Sequence, residues 1–209
     1  MSIMLATAIQ EQKSPQDEHK TATAPKLISW EEFQKKYLTR EDSYKYEWLN
    51  GVVEKTKRAL DYTQFFIINN LQKLFKRLEA QGKADGLLVH EGDIFFLENH
   101  RRPDIAFISA AQIARTAYGE NQVPAFVIEV ISSNDEINKV HEKMENYRAA
   151  GVQVAWHIFP KLQEVHVYSG SQLNRCDILK GEELCSAAPV LPDFVLSVND
   201  VFKKPPKPQ

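Results

Sequence analysis

Ala125-Phe126-Val127-Ile128-Glu129-Val130-Ile131 is apolar at six of its seven positions, and the exception is an acid. A short unbroken apolar run rich in β-branched residues describes a strand covered on both faces, as in the middle of an α/β sheet. Ser133-Asn134-Asp135-Glu136 follows with the spacing of a capping box, a hydroxyl three residues before a carboxylate. Ile137, Val140, Met144 and Tyr147 then share one helical face, and Gly151 stands where a helix ends in a left-handed residue. Val152 to Ile158 and Glu164 to Tyr168 return to strand character. This stretch predicts an α/β fold whose sheet is mixed, with helices on both faces.

Working outward, Asp93 to Leu97, Pro103 to Ile108 and Gly86 to His90 read as further strands. Ahead of them lies a long helix with Ile67, Ile68, Leu71, Leu74, Phe75 and Leu78 along one stripe, capped by Asp61 and stopped at Gly82. Tyr46 to Leu49 and Val52 to Thr56 flank Asn50-Gly51, a dipeptide suited to the positive φ angles of a two-residue turn, so they form a hairpin. Ser29-Trp30-Glu31-Glu32 predicts a short helix carrying Trp30, Phe33 and Tyr37. Residues 1–25 lack aromatic side chains and are expected to be a disordered tail. The Pro/Lys-rich residues 203–209 read as an extended one. The folded domain is expected over 26–202.

The chain of 209 residues is 43% apolar and 26% charged, the balance of a globular domain. Its formal net charge of -2 supplies no global field for polyanions, so nucleic-acid binding must come from local patches. Cys176 and Cys185 fit neither a disulfide scaffold nor a zinc ribbon. No segment approaches the roughly 20 apolar residues of a membrane span, which excludes a membrane partner and points to the cytoplasm. His90-Glu91 and His141-Glu142 have no second histidine at zincin spacing, and no phosphate-binding glycine loop is present.

Two acids stand in strand surroundings that tolerate acids poorly: Asp104, in Pro103-Asp104-Ile105-Ala106, and Glu129. An unpartnered buried carboxylate costs about several kcal/mol, so each needs a cation, either a basic side chain or a hard metal ion. On the second helix, about 100° per residue places Lys143 about 40° outside Tyr147, at the margin of the buried stripe, where it can reach toward the sheet. Lys139 lies further toward solvent. Lys55 with Lys57 and Arg58, Lys73 with Lys76 and Arg77, and Arg101 with Arg102 are either ordinary solvated surface or phosphate contacts, depending on where the fold gathers them.

Tyr46-Glu47-Trp48-Leu49-Asn50-Gly51, Pro103-Asp104-Ile105, Glu129-Val130-Ile131-Ser132, Lys143 with Tyr147, and Gly151-Val152 through Trp156 to Pro160 occur in order and at consistent spacing. Together they resemble the Uma-two family of putative restriction endonucleases, a domain of unknown function in the PD-(D/E)XK nuclease superfamily, over about residues 28 to 202. The resemblance implies a restriction-endonuclease-like core and Mg²⁺- or Mn²⁺-dependent cleavage of DNA phosphodiesters. It implies Asp104 and Glu129 as metal ligands with the Val130 carbonyl as a third oxygen, Lys143 as the site lysine, and Glu47 at the metal or on a water. Two positions depart from the pattern: Ile131 stands where the superfamily lysine belongs, and Phe159 precedes Pro160 where relatives carry Asp.

An alternative is a nuclease fold that no longer cuts and serves as a DNA- or protein-binding module, since folds outlive their sites. RNA or branched DNA is a further substrate class for the same metal site. Cutting a duplex calls for two centres, which suggests a homodimer; a mass of about 24 kDa by light scattering at every concentration contradicts that expectation.

Overall fold

The computed structural model describes residues 25–57, 65–132 and 135–207. The Asp61 cap, Arg58, the Ser133-Asn134 half of the second capping box, residues 1–24 of the N-terminal tail and residues 208–209 lie outside them.

The chain opens with helix α1 (Trp30–Phe33), whose N-cap Ser29 accepts from the Glu32 N–H at 3.2 Å. Glu32 turns its own side chain to Lys36 instead of completing the box, and the helix widens into a π-turn over Gln34–Leu38. Strands β1 (Tyr44–Leu49) and β2 (Val52–Lys57) form the expected hairpin, with Asn50 at φ 48° and Gly51 at φ 85°. Helix α2 (Phe65–Ala80) follows, then β3 (Gly86–His90), β4 (Ile94–Phe96), β5 (Asn99–Arg101) and β6 (Ile105–Ser109). Helix α3 (Ala110–Thr116), β7 (Phe126–Val130), α4 (Ile137–Ala150), β8 (Val154–Phe159) and β9 (Glu164–Ser169) continue the chain. The C-terminal part adds β10 (Arg175–Lys180), β11 (Leu184–Ala187), β12 (Leu191–Ser197) and α5 (Val198–Val201).

A six-stranded mixed sheet in the order β10-β9-β8-β7-β6-β3 forms the centre, and β7 with β8 is its parallel pair. That pairing follows from the α4 crossover, because parallel neighbours need a long connection. Side chains alternate across β7. Phe126, Ile128 and Val130 enter a core shared with α2, β11, β12 and α5, where the Phe126, Trp156 and Phe194 rings meet at 5.2–5.9 Å. Val127 enters a smaller core under α4, with Ile94, Met144 and Tyr147. Helices therefore cover both faces, as the apolar run in β7 requires. Among the described residues, no helix is long and apolar enough to cross a membrane.

A second sheet, in the order β2-β1-β5-β4, has two unlike faces. Trp48 and His100 are paired across β1 and β5, and together with Phe95 they pack under Trp30 and Phe33. The opposite face carries Lys45, Glu47, Glu54 and Arg101, because Glu47 pairs with Glu54 and each alternates with the aromatic positions. That charged face closes over the α4 side of the central sheet.

Two local readings are corrected. The N-cap of α4 is Glu136 rather than Ser133, and no side chain caps it; Asp135 instead accepts from the Ser132 N–H at 2.6 Å. The pattern also did not end at Tyr168, since β10 to β12 and α5 complete the larger core.

Candidate active site

Antiparallel register sets the two strand acids side by side. Ile105 pairs with Ile128, so one further step places Asp104 across from Glu129, on the face that bears Ala106 and Val127. The parallel β8 adds His157 beside Glu129. Both acids are at the floor of a cavity of about 220 Å³ between the central sheet, the start of α4 and the charged face of the β1–β2 hairpin.

Each acid has its own partners. Asp104 accepts from Lys45 Nζ at 3.0 Å through Oδ1 and from the Val130 N–H at 2.8 Å through Oδ2. Glu129 receives Lys143 Nζ at 3.2 and 3.1 Å on its two oxygens and a very short hydrogen bond from the Tyr147 hydroxyl. The helical argument for Lys143 thus holds in space, since it and Tyr147, one turn apart, converge on one carboxylate. Lys139 lines the cavity at its exposed edge, 3.9 Å from Glu136.

Burial pushes the Glu129 pKa up, and the neighbouring Asp104 charge adds to this against the pull of Lys143. Burial works the same way on Asp104, but Lys45, Lys143 and the Val130 N–H outweigh it and hold that carboxyl below its usual value. The Tyr147 hydroxyl is raised by burial and by the acids around it, so it stays a donor. His157 is driven down to about 3 by burial and by the surrounding cations, and its Nε2 has no hydrogen-bond partner, so the ring is neutral.

Glu47 lies in the same cavity but is committed to other partners. Its Oε2 takes Arg101 Nη1 at 3.0 Å and its Oε1 takes the Arg102 N–H at 2.7 Å. Arg101 also reaches Glu54 at 2.5 Å and Asn146 at 2.8 Å. This reconciles the two acids set opposite each other on β1 and β2, a like-charge pair that is unfavourable without a shared cation. Burial raises the Glu47 pKa, yet Lys143, Lys45 and Arg101 overcome it and hold the carboxyl at about 2.

Of the two readings of the basic clusters, the fold places most of them away from the cavity rim. Arg101 is 1% exposed and serves as an internal cross-link, and Arg102 pairs with Asp93. Lys73, Lys76 and Arg77 ride the outer side of α2, across the central sheet from the cavity. Lys55 does line the cavity, with Nζ 3.7 Å from the centre of the Tyr44 ring. Sequence reasoning missed Lys45 entirely.

A divalent cation fits the donors present. Asp104 and Glu129 line one wall beside His157, and their carboxylate oxygens are the donors that suit Mg²⁺ or Mn²⁺. Seven carboxylates and five Lys or Arg side chains line the cavity among the described residues, leaving a formal charge equal and opposite to one such ion. No three His, Cys, Asp or Glu side chains among the described residues are gathered to hold a metal by themselves. The carboxylates side by side at the floor are those of Asp104 and Glu129.

Comparison with known proteins bears on this arrangement. No curated protein matches the chain. A crystal structure of a putative nuclease of the DUF820 group from Anabaena variabilis superposes with a TM-score of 0.69 over 84% of this chain and 97% of that one, at 20% identity, which establishes a common fold. The pattern of the Uma2 family, described as "Putative restriction endonuclease", matches residues 30–199, which contain every strand of both large sheets and all the acids and lysines of the cavity. The chain belongs to the Uma2 family.

Proposed function

We propose that the protein is a divalent-metal-dependent endonuclease that hydrolyses phosphodiester bonds of DNA. The observation that carries this reading is the pairing of Asp104 and Glu129 on adjacent strands, with the Lys143 ammonium between helix and sheet at the floor of an open cavity. Asp104, Glu129 and the Val130 carbonyl would hold Mg²⁺ or Mn²⁺. When bound, the ion supplies Lewis acidity toward a phosphate and its attacking water.

The protein's own residues have separable tasks. Lys143 carries a positive charge to where negative charge builds on the phosphate, and Tyr147 fixes the Glu129 carboxylate by donating to it. Lys143 approaches from the helix, so the apolar Ile131 in the usual lysine position leaves the site with its ammonium. In this scheme Glu47 is a positioning residue: it acts through Arg101 and the Arg102 N–H, tying β1 to β5, while Arg101 carries the link on to Asn146 of α4.

Purified protein is expected to nick supercoiled plasmid DNA on addition of Mg²⁺ or Mn²⁺ and to stop when the ion is chelated. Asp104→Ala and Glu129→Ala are expected to abolish nicking while circular dichroism shows folded protein. Undiminished cleavage by both folded variants rejects the assignment.

One observation favours a second reading, a binding module that does not cut. Each strand acid already has a lysine within 3.2 Å, so the cluster is neutralised by its own chain. Isothermal titration separates the two. Uptake of Mg²⁺ or Mn²⁺ in the presence of DNA supports the nuclease, and no uptake supports the module.

A further inference from the structure

The three cations nearest the acids are held in different ways. Arg101 is a fixed strut, its guanidinium shared among Glu47, Glu54 and Asn146. Lys143 straddles both oxygens of Glu129. Lys45 makes one side-chain hydrogen bond among the described residues, to Oδ1 of Asp104, at the end of a flexible four-carbon stem. Its side chain is only 8% exposed, so the ammonium sits within the charged interior and not on its rim.

A divalent ion that takes Asp104 as a ligand must share the carboxylate with this ammonium or displace it. Like charges on one carboxylate repel strongly where water is scarce. On its other oxygen, Oδ2, Asp104 accepts a neutral backbone N–H, that of Val130. Displacement therefore asks for one ion pair to break and leaves a mobile ammonium in a cavity whose next expected occupant is an anion.

Resting on the nuclease reading above, we propose that Lys45 is an exchangeable counter-ion: it neutralises Asp104 until a divalent cation arrives, and the released ammonium then binds the phosphate of the nucleic acid. Metal and phosphate binding are thereby coupled through one side chain. Removing the Lys45 charge tightens divalent binding in the absence of DNA, because a competitor is gone. It also removes the gain in DNA affinity that the metal confers. A purely structural role gives the opposite sign for the first effect, because a damaged site binds metal less well.

The test uses the wild-type chain first. Lysine labelling with an amine-reactive reagent, read by peptide mass spectrometry with and without Mg²⁺, is expected to speed up several-fold at Lys45 once the ion binds. Lys36, whose side chain is 56% exposed, serves as the unchanged control. Isothermal titration of Mg²⁺ into Lys45→Gln is expected to show affinity about tenfold above wild type, within the usual span of coupling between sites. Anisotropy with a short DNA duplex in Ca²⁺ is expected to show loss of the metal-dependent gain. Mg²⁺ binding by wild type with Lys45 labelling unchanged overturns the inference, as does equal or weaker Mg²⁺ binding by Lys45→Gln. Absence of divalent binding in both proteins overturns the nuclease reading together with it. If Lys45→Gln does not fold, the labelling result decides alone.

Discussion

Asp104 and Glu129 announce themselves in the sequence because an acid inside an apolar strand is expensive, and the cost points to a cation. Helical geometry places Lys143 at the margin of the buried stripe, able to reach either the sheet or solvent, and the family resemblance is what singles it out. Lys45 and Arg101 are not legible in this way, for a shared reason. Lys45, Glu47 and Glu54 alternate with aromatic and aliphatic residues, a pattern that normally marks the solvent face of a hairpin. Arg101 ends a strand of three residues, too short to show any period. Only the closing of one sheet over the other turns that polar face inward. Glu47 and Glu54 test this at the level of single side chains. Glu47 is almost fully buried against Arg101, whereas 22% of the Glu54 side chain is exposed. Urea unfolding is expected to find Glu47→Gln destabilised by about 3 kcal/mol, the usual cost of breaking a buried pair, and Glu54→Gln by about 1 kcal/mol or less. Equal losses would show that burial does not separate the two.

The elements that position the site follow ordinary chain chemistry. Helix α4 brings Lys143 and Tyr147 to the sheet and ends at Gly151, which adopts φ 85°. A Cβ there meets nothing within 4 Å, so Gly151→Ala isolates the cost of the left-handed backbone, about 1–2 kcal/mol. Gly86→Ala is expected to cost more, because its Cβ would lie 2.2 Å from the Ile108 carbonyl oxygen and force β3 away from β6. Thermal unfolding of the two variants checks the order; a Gly151→Ala loss as large as that of Gly86→Ala contradicts the backbone account. Other elements were concealed for separate reasons. The β12 strand contains Pro192, a residue that argues against a strand. The α3 helix, in contrast, carried a readable signal in Ser109 and Gln112, which form a complete capping box.

Across the whole molecule, ion pairs join the two sheets, as Lys45 does to Asp104, and tie the second sheet together, as Asp93 does with Arg102, so stability depends on pH. Asp93 is partly buried, which works to raise its pKa, but hydrogen bonds from His100 and Arg102 and the Arg102 charge outweigh burial and hold the carboxyl below its usual value. A lowered carboxylate pKa contributes stability that is present above the unfolded value and lost as pH falls through the folded one. The melting-temperature gap between wild type and Asp93→Asn is therefore expected to stay constant from about pH 7 to 5 and to narrow below about pH 4. A gap that widens on acidification contradicts the assignment of this cluster. The central claim is that Asp104 and Glu129 share a divalent ion, and crystals soaked in Mn²⁺ test it most directly. An anomalous peak bridging the two carboxylates, with Lys45 moved off Asp104, is the predicted result; no peak at saturating Mn²⁺, with both lysines still on the acids, would contradict it.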